Sequence, residues 1–369
     1  MKLQVDKGSL IQALQRVQGI TEKKTGMPIL SNSLLQASEP NLLEVSATDL
    51  ELSIWTYLEA QIESPGTTTV SARKLLEILR EMSQESVLLQ TLPNNRLSVA
   101  AGRTQFELAT LAVEDFPYIA FHRDASLVRT SASVLKQAFQ KTIYGVPAED
   151  DPFSVPGVYF QPMDSSDLRF VSSDGHRLAY VQVSRKDLGD LDVGPGIVIP
   201  RKGIQEILRV LERETDASLG IVENSFLVKT SGSFLSIRML DADYPDYEQI
   251  IPRERPFSFV VKWENFHAAL KRVGVLTNSK WRHVKMVVSN GTLELQAGNP
   301  EVGFANDLLD VDYEGEEFSI AFNIRYVLEA IQVMESSEIR FEWLDAFHGA
   351  IFTGADDPGY LGLIMPMVL

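Results

Sequence analysis

The segment SSDGHRL, at positions 172–178, places a hydroxyl, a carboxylate, an imidazole and a guanidinium within seven residues. Such groups could form a nucleophile–base–orienter relay if their side chains converged. Neighbouring residues on a hairpin point in alternating directions, so this spacing does not bring the members of a relay together. We therefore interpret the segment as a turn with a binding role and predict no catalytic residue in it.

Clustered carboxylates offer a second kind of chemistry, because Asp and Glu oxygens can bind Mg²⁺. The candidates lie in predicted loops, namely Glu149–Asp150–Asp151, Asp241, Asp243, Asp246 and Asp356–Asp357. They support an alternative hypothesis, a metal-dependent enzyme of nucleic-acid metabolism. The formal charge of the chain is −16, however, and acidic loops in such a protein are usually solvated. We accordingly predict neither a metal nor a cofactor.

Other signs of an enzyme are missing from the sequence. It contains no P-loop, HExxH, GxSxG or strand-associated GxGxxG pattern. The histidines show no spacing typical of metal ligands; they are His122, His176, His267, His283 and His348. The absence of cysteine excludes disulfides, thiolate catalysis and cysteine metal sites. These features together predict a protein without an active site.

Length and composition indicate a globular protein of two or three domains, since 369 residues exceed one ordinary core. Hydrophobic residues make up 44% of the chain and aromatic residues 9%, which excludes intrinsic disorder. No apolar run approaches the roughly 20 residues that span a bilayer, and no signal peptide is recognised. We expect a cytoplasmic protein with no membrane partner.

An internal repeat is the strongest signal of organisation. A short alternating strand followed by an amphipathic helix begins at Leu3, Leu127 and Phe259. A second strand–helix pattern falls between these, beginning at Thr69, Ile197 and Phe318. Patterns of the same type recur at intervals of about 120 to 130 residues, and short alternating strands with hairpin bends separate the helices. The chain is therefore predicted to contain three domains, each a doubled strand–helix–strands unit.

The positive charges concentrate around the predicted helices. Five of six windows have a net positive charge, although the whole chain is acidic; the windows are 7–24, 71–82, 133–145, 199–214, 262–285 and, with a net negative charge, 319–335. A surface formed by these helices would attract the phosphates of nucleic acid without reading base sequence. Ordinary solvated helix residues are the competing interpretation.

The repeat and four short motifs together resemble the β sliding clamp family of bacterial DNA polymerase III. The motifs are MPIL after the first helix, SDGHRL in the second domain, YPDY at the second junction and MPM near residue 366. The resemblance implies an α+β fold of three tandem clamp domains, each a doubled βαβββ unit. It places the helices inside and the sheets outside a dimeric ring. The implied boundaries are 1–121, 122–253 and 254–369.

The same resemblance implies three sets of site residues. Sequence-independent contacts to duplex DNA fall on Lys24, Arg73, Lys74, Arg201, Lys202, Lys280, Trp281, Arg282 and Asn323. The homodimer interface falls on Phe106 and Leu108 of the first domain with Val275 and Leu276 of the third. A cleft for partner peptides falls on Val155, Ser173, Gly175, His176, Arg177, Leu178, Pro245, Ile250, Leu363, Met365, Pro366 and Met367.

The implied function is that of a ring that encircles DNA and tethers the replicative polymerase to it. The expected partners are the catalytic subunit of DNA polymerase III, the clamp loader, and other polymerases or repair proteins that carry short linear motifs. Glu248 and Gln249 stand where many family members have basic residues, which puts the preferred peptide in doubt. A repeat-built adaptor that never touches DNA is a further alternative, which only the acidic net charge supports.

Overall fold

The structure is a computed structural model that describes residues 1–21, 26–122, 124–147, 154–163 and 166–368. The chain forms two compact units, each assembled from three stretches of sequence. The first unit comprises Met1–Lys136, Leu188–Asp192 and Lys202–Met239. The second comprises Gln137–Asp187, Val193–Arg201 and Leu240–Leu369.

Six α-helices occur in the described part of the chain. They are α1 (Lys7–Gln18), α2 (Ala72–Glu81), α3 (Ala132–Thr142), α4 (Arg201–Val210), α5 (Trp263–Gly274) and α6 (Ile324–Gln332). None of these helices is long and apolar enough to cross a membrane. Each follows a strand at one of the six predicted strand–helix patterns, which confirms the helix predictions.

Helix α1 illustrates why these segments fold as half-buried helices. Leu10, Ala13, Leu14 and Val17 are its buried residues, spaced three or four apart so that they share one face. The helix begins after Asp6, whose carboxylate accepts a hydrogen bond from the Ser9 amide at 2.7 Å. The apolar face therefore fixes which side packs on the sheet, and the cap fixes where the helix starts.

Twenty-four strands accompany the helices in the described residues, eight in each third of the chain. The first eight are β1 (Lys2–Asp6), β2 (Ser33–Ser38), β3 (Leu42–Thr48), β4 (Leu52–Ser64), β5 (Gly66–Val70), β6 (Ser86–Leu92), β7 (Arg96–Ala101) and β8 (Thr104–Ala109). The next are β9 (Val128–Ser131), β10 (Gly157–Pro162), β11 (Asp167–Ser173), β12 (Arg177–Ser184), β13 (Ile197–Pro200), β14 (Asp216–Val222), β15 (Ser225–Lys229) and β16 (Ser233–Arg238). The last are β17 (Phe257–Lys262), β18 (His283–Ser289), β19 (Thr292–Asn299), β20 (Gly303–Asp310), β21 (Phe318–Asn323), β22 (Glu338–Trp343), β23 (Ala350–Gly354) and β24 (Asp357–Ile364).

The chain contains three successive repeats of the same order of elements. Each repeat consists of two βαβββ units. In the first repeat the two halves are β1-α1-β2-β3-β4 and β5-α2-β6-β7-β8. The second repeat runs from β9 to β16 and the third from β17 to β24. The predicted α+β fold of doubled strand–helix–strands units is therefore confirmed.

Strand pairing also joins successive repeats. In the first unit, β4 of the first repeat pairs antiparallel with β16 of the second, within a 12-stranded sheet. In the second unit, β12 of the second repeat pairs antiparallel with β24 of the third, within an 8-stranded sheet. Both junctions thus join the fourth strand of one repeat to the eighth strand of the next.

One further eighth strand and one further fourth strand lie at the edges of their sheets. β8, the eighth strand of the first repeat, ends the 12-stranded sheet. β20, the fourth strand of the third repeat, ends a 4-stranded sheet whose order is β20-β19-β18-β21. An unpaired edge exposes backbone donors and acceptors that can bind another strand.

Candidate functional site

The turn between β11 and β12 contains the residues that the sequence singled out for chemistry. Asp174 Oδ1 accepts hydrogen bonds from the backbone amides of His176 and Arg177, both at 3.0 Å. The Ser173 hydroxyl donates to the Arg177 carbonyl at 2.9 Å, and Gly175 adopts a φ of 80°. These side chains hold the turn in shape and do not converge as a catalytic relay, in agreement with the interpretation of this segment as a turn.

Arg177 anchors the base of the turn. Its guanidinium is buried, donates to Asp174 Oδ2 at 3.0 Å and also forms an ion pair with Glu329 of α6. The same group lies 4.2 Å above the ring of Tyr326 and 5.3 Å from the ring of Tyr144. Burial alone would lower the pKa of Arg177, but hydrogen bonding to Glu329 and the nearby carboxylates raise it. The guanidinium therefore stays charged and fixes the turn to the third repeat.

An apolar cluster lies beside this turn, at the position of the predicted peptide cleft. Leu178 on β12 and Leu363 on β24 are opposite each other in the strand pair and are both fully buried. They share a cluster with Val171, Tyr247, Ile351 and Leu361, on which Met365 and Tyr244 pack while remaining partly accessible. The Met365 amide donates to the His176 carbonyl at 2.8 Å, so the segment after β24 closes one side of the cleft.

The rim of the cleft is accessible to a ligand. Gly175, His176, Pro245 and Ile250 are exposed, and the last of these is a large apolar side chain in contact with solvent. Three further predicted positions are half-buried, namely Val155, Pro366 and Met367. The structure thus brings Leu178, Leu363 and Met365 into one apolar cluster and leaves exposed positions around it.

The segment at 244–250 forms the opposite wall. Tyr244 stacks on Tyr159 with ring centroids 4.9 Å apart and an interplanar angle of 11°. The Tyr247 hydroxyl accepts a hydrogen bond from Arg169 at 3.0 Å, and Arg169 also pairs with Glu248 at 3.0 Å. Glu248 therefore neutralises a cation beside this apolar cluster. Sequence reasoning missed Arg169, Tyr244 and Tyr247, although the YPDY motif contained both tyrosines.

The predicted DNA-binding positions of the first unit are exposed or partly exposed. Arg73 and Lys74 lie in the first turn of α2 and pair with Glu77 at 3.2 and 2.6 Å. The hydrogen bond from Lys74 holds the pKa of Glu77 below its usual value. Lys202, on α4, forms an ion pair with Asp49, whose carboxylate is nearly buried. Lys24 lies outside the described residues.

In the second unit the predicted DNA-binding residues are divided. Lys280 and Arg282 are exposed in the loop before β18, whereas Asn323 is buried and caps α6 by accepting from the Arg325 amide at 3.1 Å. Arg201 is half-buried and donates to the Val146 carbonyl, and burial lowers its pKa. Arg201 and Asn323 therefore have structural partners, while Lys280 and Arg282 remain available to solvent.

Trp281 lies on the opposite face of its sheet from α5. Val284 and Met286 on β18 pack in the core with that helix, whereas the alternate residues His283 and Lys285 line a groove with Trp281. The groove holds about 610 Å³. The indole Nε1 of Trp281 is buried and has no hydrogen-bond partner within the described residues.

The four predicted dimer-interface residues lie at the two sheet edges. Phe106 is exposed and Leu108 half-buried, and both are on β8. Val275 and Leu276 directly follow α5, which packs against β20, and Val275 is 79% exposed. Sequence reasoning missed two further exposed side chains on β20, Phe304 and Leu308, because their alternation with partly buried residues is also typical of an ordinary strand.

Metal binding finds no geometric support in the part of the chain that the structure describes. No group of three or more His, Cys, Asp or Glu side chains there could hold a metal ion. Of the acidic clusters noted in the sequence, 149–151 lies outside the described residues. Asp357 instead binds Lys141 in a buried ion pair at 2.7 Å.

Comparison with known protein families matches three models in succession along the chain. The N-terminal domain of the DNA polymerase III beta subunit matches residues 1–120. The central domain of that subunit matches residues 130–246, and its C-terminal domain matches residues 248–368.

Full-length relatives and solved structures agree with these matches. The chain is 32% identical to the beta sliding clamp of Vibrio cholerae and 30% identical to that of Proteus mirabilis, each over 100% of both chains. A DNA polymerase sliding clamp from Caulobacter crescentus superposes with a TM-score of 0.90 at 31% identity, over 100% of both chains. A Pseudomonas aeruginosa sliding clamp bound to griselimycin gives a TM-score of 0.89 at 28% identity, also over 100% of both chains.

Proposed function

The chain belongs to the DNA polymerase III beta subunit family of sliding clamps, and from this premise we propose how its own residues perform the clamp function. It acts as a homodimeric ring around duplex DNA that holds the replicative polymerase and other partners through a peptide cleft. It has no active site and no cofactor. Processivity then comes from topology, because a closed ring remains on DNA without binding it tightly.

Each chain contributes three domains to the ring, at 1–121, 122–253 and 254–369. The three family matches and the threefold repetition of elements support these boundaries. The strand pairs β4–β16 and β12–β24 join the first domain to the second and the second to the third. β20 of domain three and β8 of domain one are the fourth and eighth strands that remain at sheet edges, and a third pairing of this kind would join them.

The recurrence of one strand pairing is the observation that carries the ring proposal. If β20 pairs with β8 of a second chain as β4 pairs with β16, every fourth strand meets an eighth strand. Such a contact is heterologous, since different surfaces meet, and two copies of it close a dimer. The pairing also buries the exposed edges of both sheets.

The two observed junctions support one register for the proposed subunit contact. In β4–β16, Ile54 pairs with Leu235, and in β12–β24, Ala179 pairs with Gly362. The matching positions are those that face the core: Ala305 on β20, which packs against it, and Phe106 on β8, which is opposite the buried Val99. Phe106 thus takes the place of Leu235, which is fully buried in its junction. Val275 and Leu276 would cover it from the end of α5.

Phosphate contacts come from exposed cations on the helices and the adjoining loops. Arg73, Lys74, Lys202, Lys280 and Arg282 are the described candidates with accessible side chains. Such contacts depend strongly on salt and carry no sequence preference, which suits a ring that slides. Lys24, Arg201, Trp281 and Asn323 complete the proposed set.

Partner proteins bind the apolar cleft between Leu178, Leu363 and Met365. Methionine and aliphatic side chains adapt to related peptides, and the backbone and polar groups of the Asp174 turn orient them. The proposed set is Val155, Ser173, Gly175, His176, Arg177, Leu178, Pro245, Ile250, Leu363, Met365, Pro366 and Met367. The polymerase catalytic subunit and the clamp loader are the expected ligands, joined by other polymerases and repair proteins.

Retention on circular DNA tests the proposal. The protein is loaded onto nicked circular DNA with a clamp loader and ATP, washed in high salt, and half of the sample is then linearised. We expect loss from the linear DNA alone, because only a closed ring depends on the absence of ends. Equal retention on both forms would contradict topological binding.

A further inference from the structure

The groove beside Trp281 occupies, in the third repeat, the position that the peptide cleft occupies in the second. In the second repeat Ser173 pairs with Leu178 directly across the β11–β12 turn. In the third repeat Asn299 pairs with Gly303 directly across the β19–β20 turn, and Gly298 pairs with Phe304 at the next position. Of Gly303 and Phe304, only Phe304 lines the groove, so we match Phe304 with Leu178 of the cleft.

The other wall of the groove corresponds in the same way. Phe160 pairs with Phe170 in the second repeat, and Met286 pairs with Leu295 in the third. Counting back from Phe160 and Met286 matches Lys285 with Tyr159, and Trp281 with Val155. Thus Trp281, Lys285 and Phe304 of the groove match three residues that line or border the peptide cleft.

The groove is a formed and accessible surface of the single chain. Phe304 is 82% exposed, and its ring lies over Gly298, where a Cβ atom would come within 2.3 Å of the ring. The glycine therefore lets the aromatic ring lie against the sheet. Trp281 and Phe304 provide two apolar surfaces within one cavity of about 610 Å³.

The first two repeats indicate what such a surface accepts, because each is covered by the segment that follows its last strand. In the first repeat Phe121 lies over Trp55 of β4, with ring centroids 4.8 Å apart. In the second repeat Tyr244 stacks on Tyr159 at 4.9 Å. An extended segment carrying an aromatic side chain is therefore the occupant in both cases.

The charge around the third groove favours an acidic segment. His283 and Lys285 line it, and Lys280 and Arg282 are exposed beside Trp281. Among the described residues that line it, Glu294 is the one carboxylate, and it already accepts a hydrogen bond from Asn306 at 3.2 Å. Opposite charges around an apolar surface direct and orient a charged ligand.

We propose that the groove between Trp281 and Phe304 is a second docking site, which binds an extended acidic peptide with an aromatic side chain from a partner protein. This inference rests on the three-repeat organisation of the proposed function. The aromatic side chain lies between Trp281 and Phe304, while the acidic residues lie near Lys285 and Arg282. The groove is on the sheet face opposite to α5, and Trp281, which lines it, also belongs to the set proposed to contact DNA, so the test must separate peptide from nucleic acid.

Fluorescence anisotropy with a labelled peptide tests the proposal on the full-length protein. The probe has the sequence DYPDYEQI, which matches residues 243–250, and a second probe replaces both tyrosines by alanine. We expect Phe304→Ala and Trp281→Leu each to weaken binding of the first probe roughly tenfold, because aromatic anchors dominate such contacts. The alanine probe should bind weakly to all proteins.

Matched variants separate the groove from other surfaces. Phe347→Ala removes a phenylalanine that is 77% exposed and does not line the groove, so it should bind the probe normally. Light scattering checks that each variant keeps the mass of the unmodified protein. If Phe304→Ala alters the dimer, probe binding by Trp281→Leu still tests the groove. Lys285→Glu should weaken binding of the acidic probe, because it reverses a charge in the groove.

Three results would overturn the docking site. Normal probe binding by both Phe304→Ala and Trp281→Leu would exclude the groove. Loss of binding only in Met365→Ala would place the probe in the peptide cleft, leaving the proposed clamp function intact. Displacement of the probe by single-stranded oligothymidine that binds more tightly would assign the aromatic and cationic residues to nucleic acid instead.

Discussion

The two junctions between repeats use the same strand pairing but differ in what covers their apolar side chains. At β4–β16, in the first unit, Trp55 and Phe234 are buried and form an aromatic cluster with Phe121. At β12–β24, in the second unit, Leu178 and Leu363 are buried below a rim that stays exposed. One backbone arrangement therefore supports a sealed structural contact and a more open apolar cluster, which we propose as the peptide cleft, and the side chains distinguish the two.

The junctions also differ in their ion pairs. Near β4–β16, Arg16 of α1 pairs with Glu214 at 3.4 Å, with 26% and 12% of the side chains exposed. Near β12–β24, Lys141 of α3 pairs with Asp357 at 2.7 Å, with 8% of each exposed. A buried charge depends on its partner far more than a hydrated one does. The open junction thus depends on a buried ion pair where the sealed junction depends on aromatic packing.

Removal of the buried carboxylate should have the largest effect. Asp357→Ala removes the buried partner of Lys141 and leaves only the more exposed Glu335, at a cost of up to about 3–5 kcal/mol. Glu214→Ala, the matched change at the sealed junction, should cost less, because both side chains of that pair are more accessible to water. Thermal unfolding followed by circular dichroism measures both. Equal shifts in the two melting temperatures would remove the distinction between the ion pairs.

A smaller effect, on peptide affinity, is expected from shortening a side chain in the proposed cleft. Met365→Ala removes a partly accessible side chain that packs on the cleft cluster. The affinity for a polymerase-derived peptide should fall about tenfold, or roughly 1.4 kcal/mol. Phe121→Ala, at the sealed junction, should lower stability while leaving that affinity unchanged. Isothermal titration calorimetry gives the affinities. Weaker peptide binding by Phe121→Ala alone would reverse the assignment of sealed and open junctions.

The smallest effect concerns charge at the cleft rim. Glu248→Lys removes the ion pair with Arg169 and places two cations beside the peptide site. Acidic peptides should then bind about two- to threefold more tightly at low salt, since exposed charges contribute about 0.2–1 kcal/mol. The gain should fade as salt is added. A gain that persists at high salt would indicate a change in the shape of the cleft.

Local patterns were sufficient to predict the repeat. The helical spacing of Leu10 and Leu14, and of Leu135 and Phe139, recurs because each helix must bury one face on a sheet. The turn at Asp174 was predictable for a similar reason, since its hydrogen bonds join residues at most three apart. Short-range rules suffice wherever the partners are neighbours in sequence.

Long-range contacts could not be predicted in this way. The pairing of Leu178 with Leu363, or of Trp55 with Phe234, joins residues about 180 positions apart, and no local pattern encodes such partners. The resemblance to a known family supplied Leu178 and Leu363, but Arg169, Tyr144 and Phe304 were missed. The resemblance also assigned Trp281 to DNA, but the face of the sheet on which Trp281 lies depends on its position relative to β18.

Closure of the ring through β8 and β20 is the central claim, and a disulfide between subunits tests it most directly. The chain has no cysteine, so Phe106→Cys with Ala305→Cys introduces the only pair. Opposite residues on paired strands have Cβ atoms about 4.5–5.5 Å apart, close enough to cross-link. The control, Glu107→Cys with Ala305→Cys, places the two side chains on opposite faces. We predict a product of twice the 41.2 kDa chain mass on a non-reducing gel for the first variant alone. Single chains from the first variant, or equal cross-linking in both, would contradict the proposed pairing.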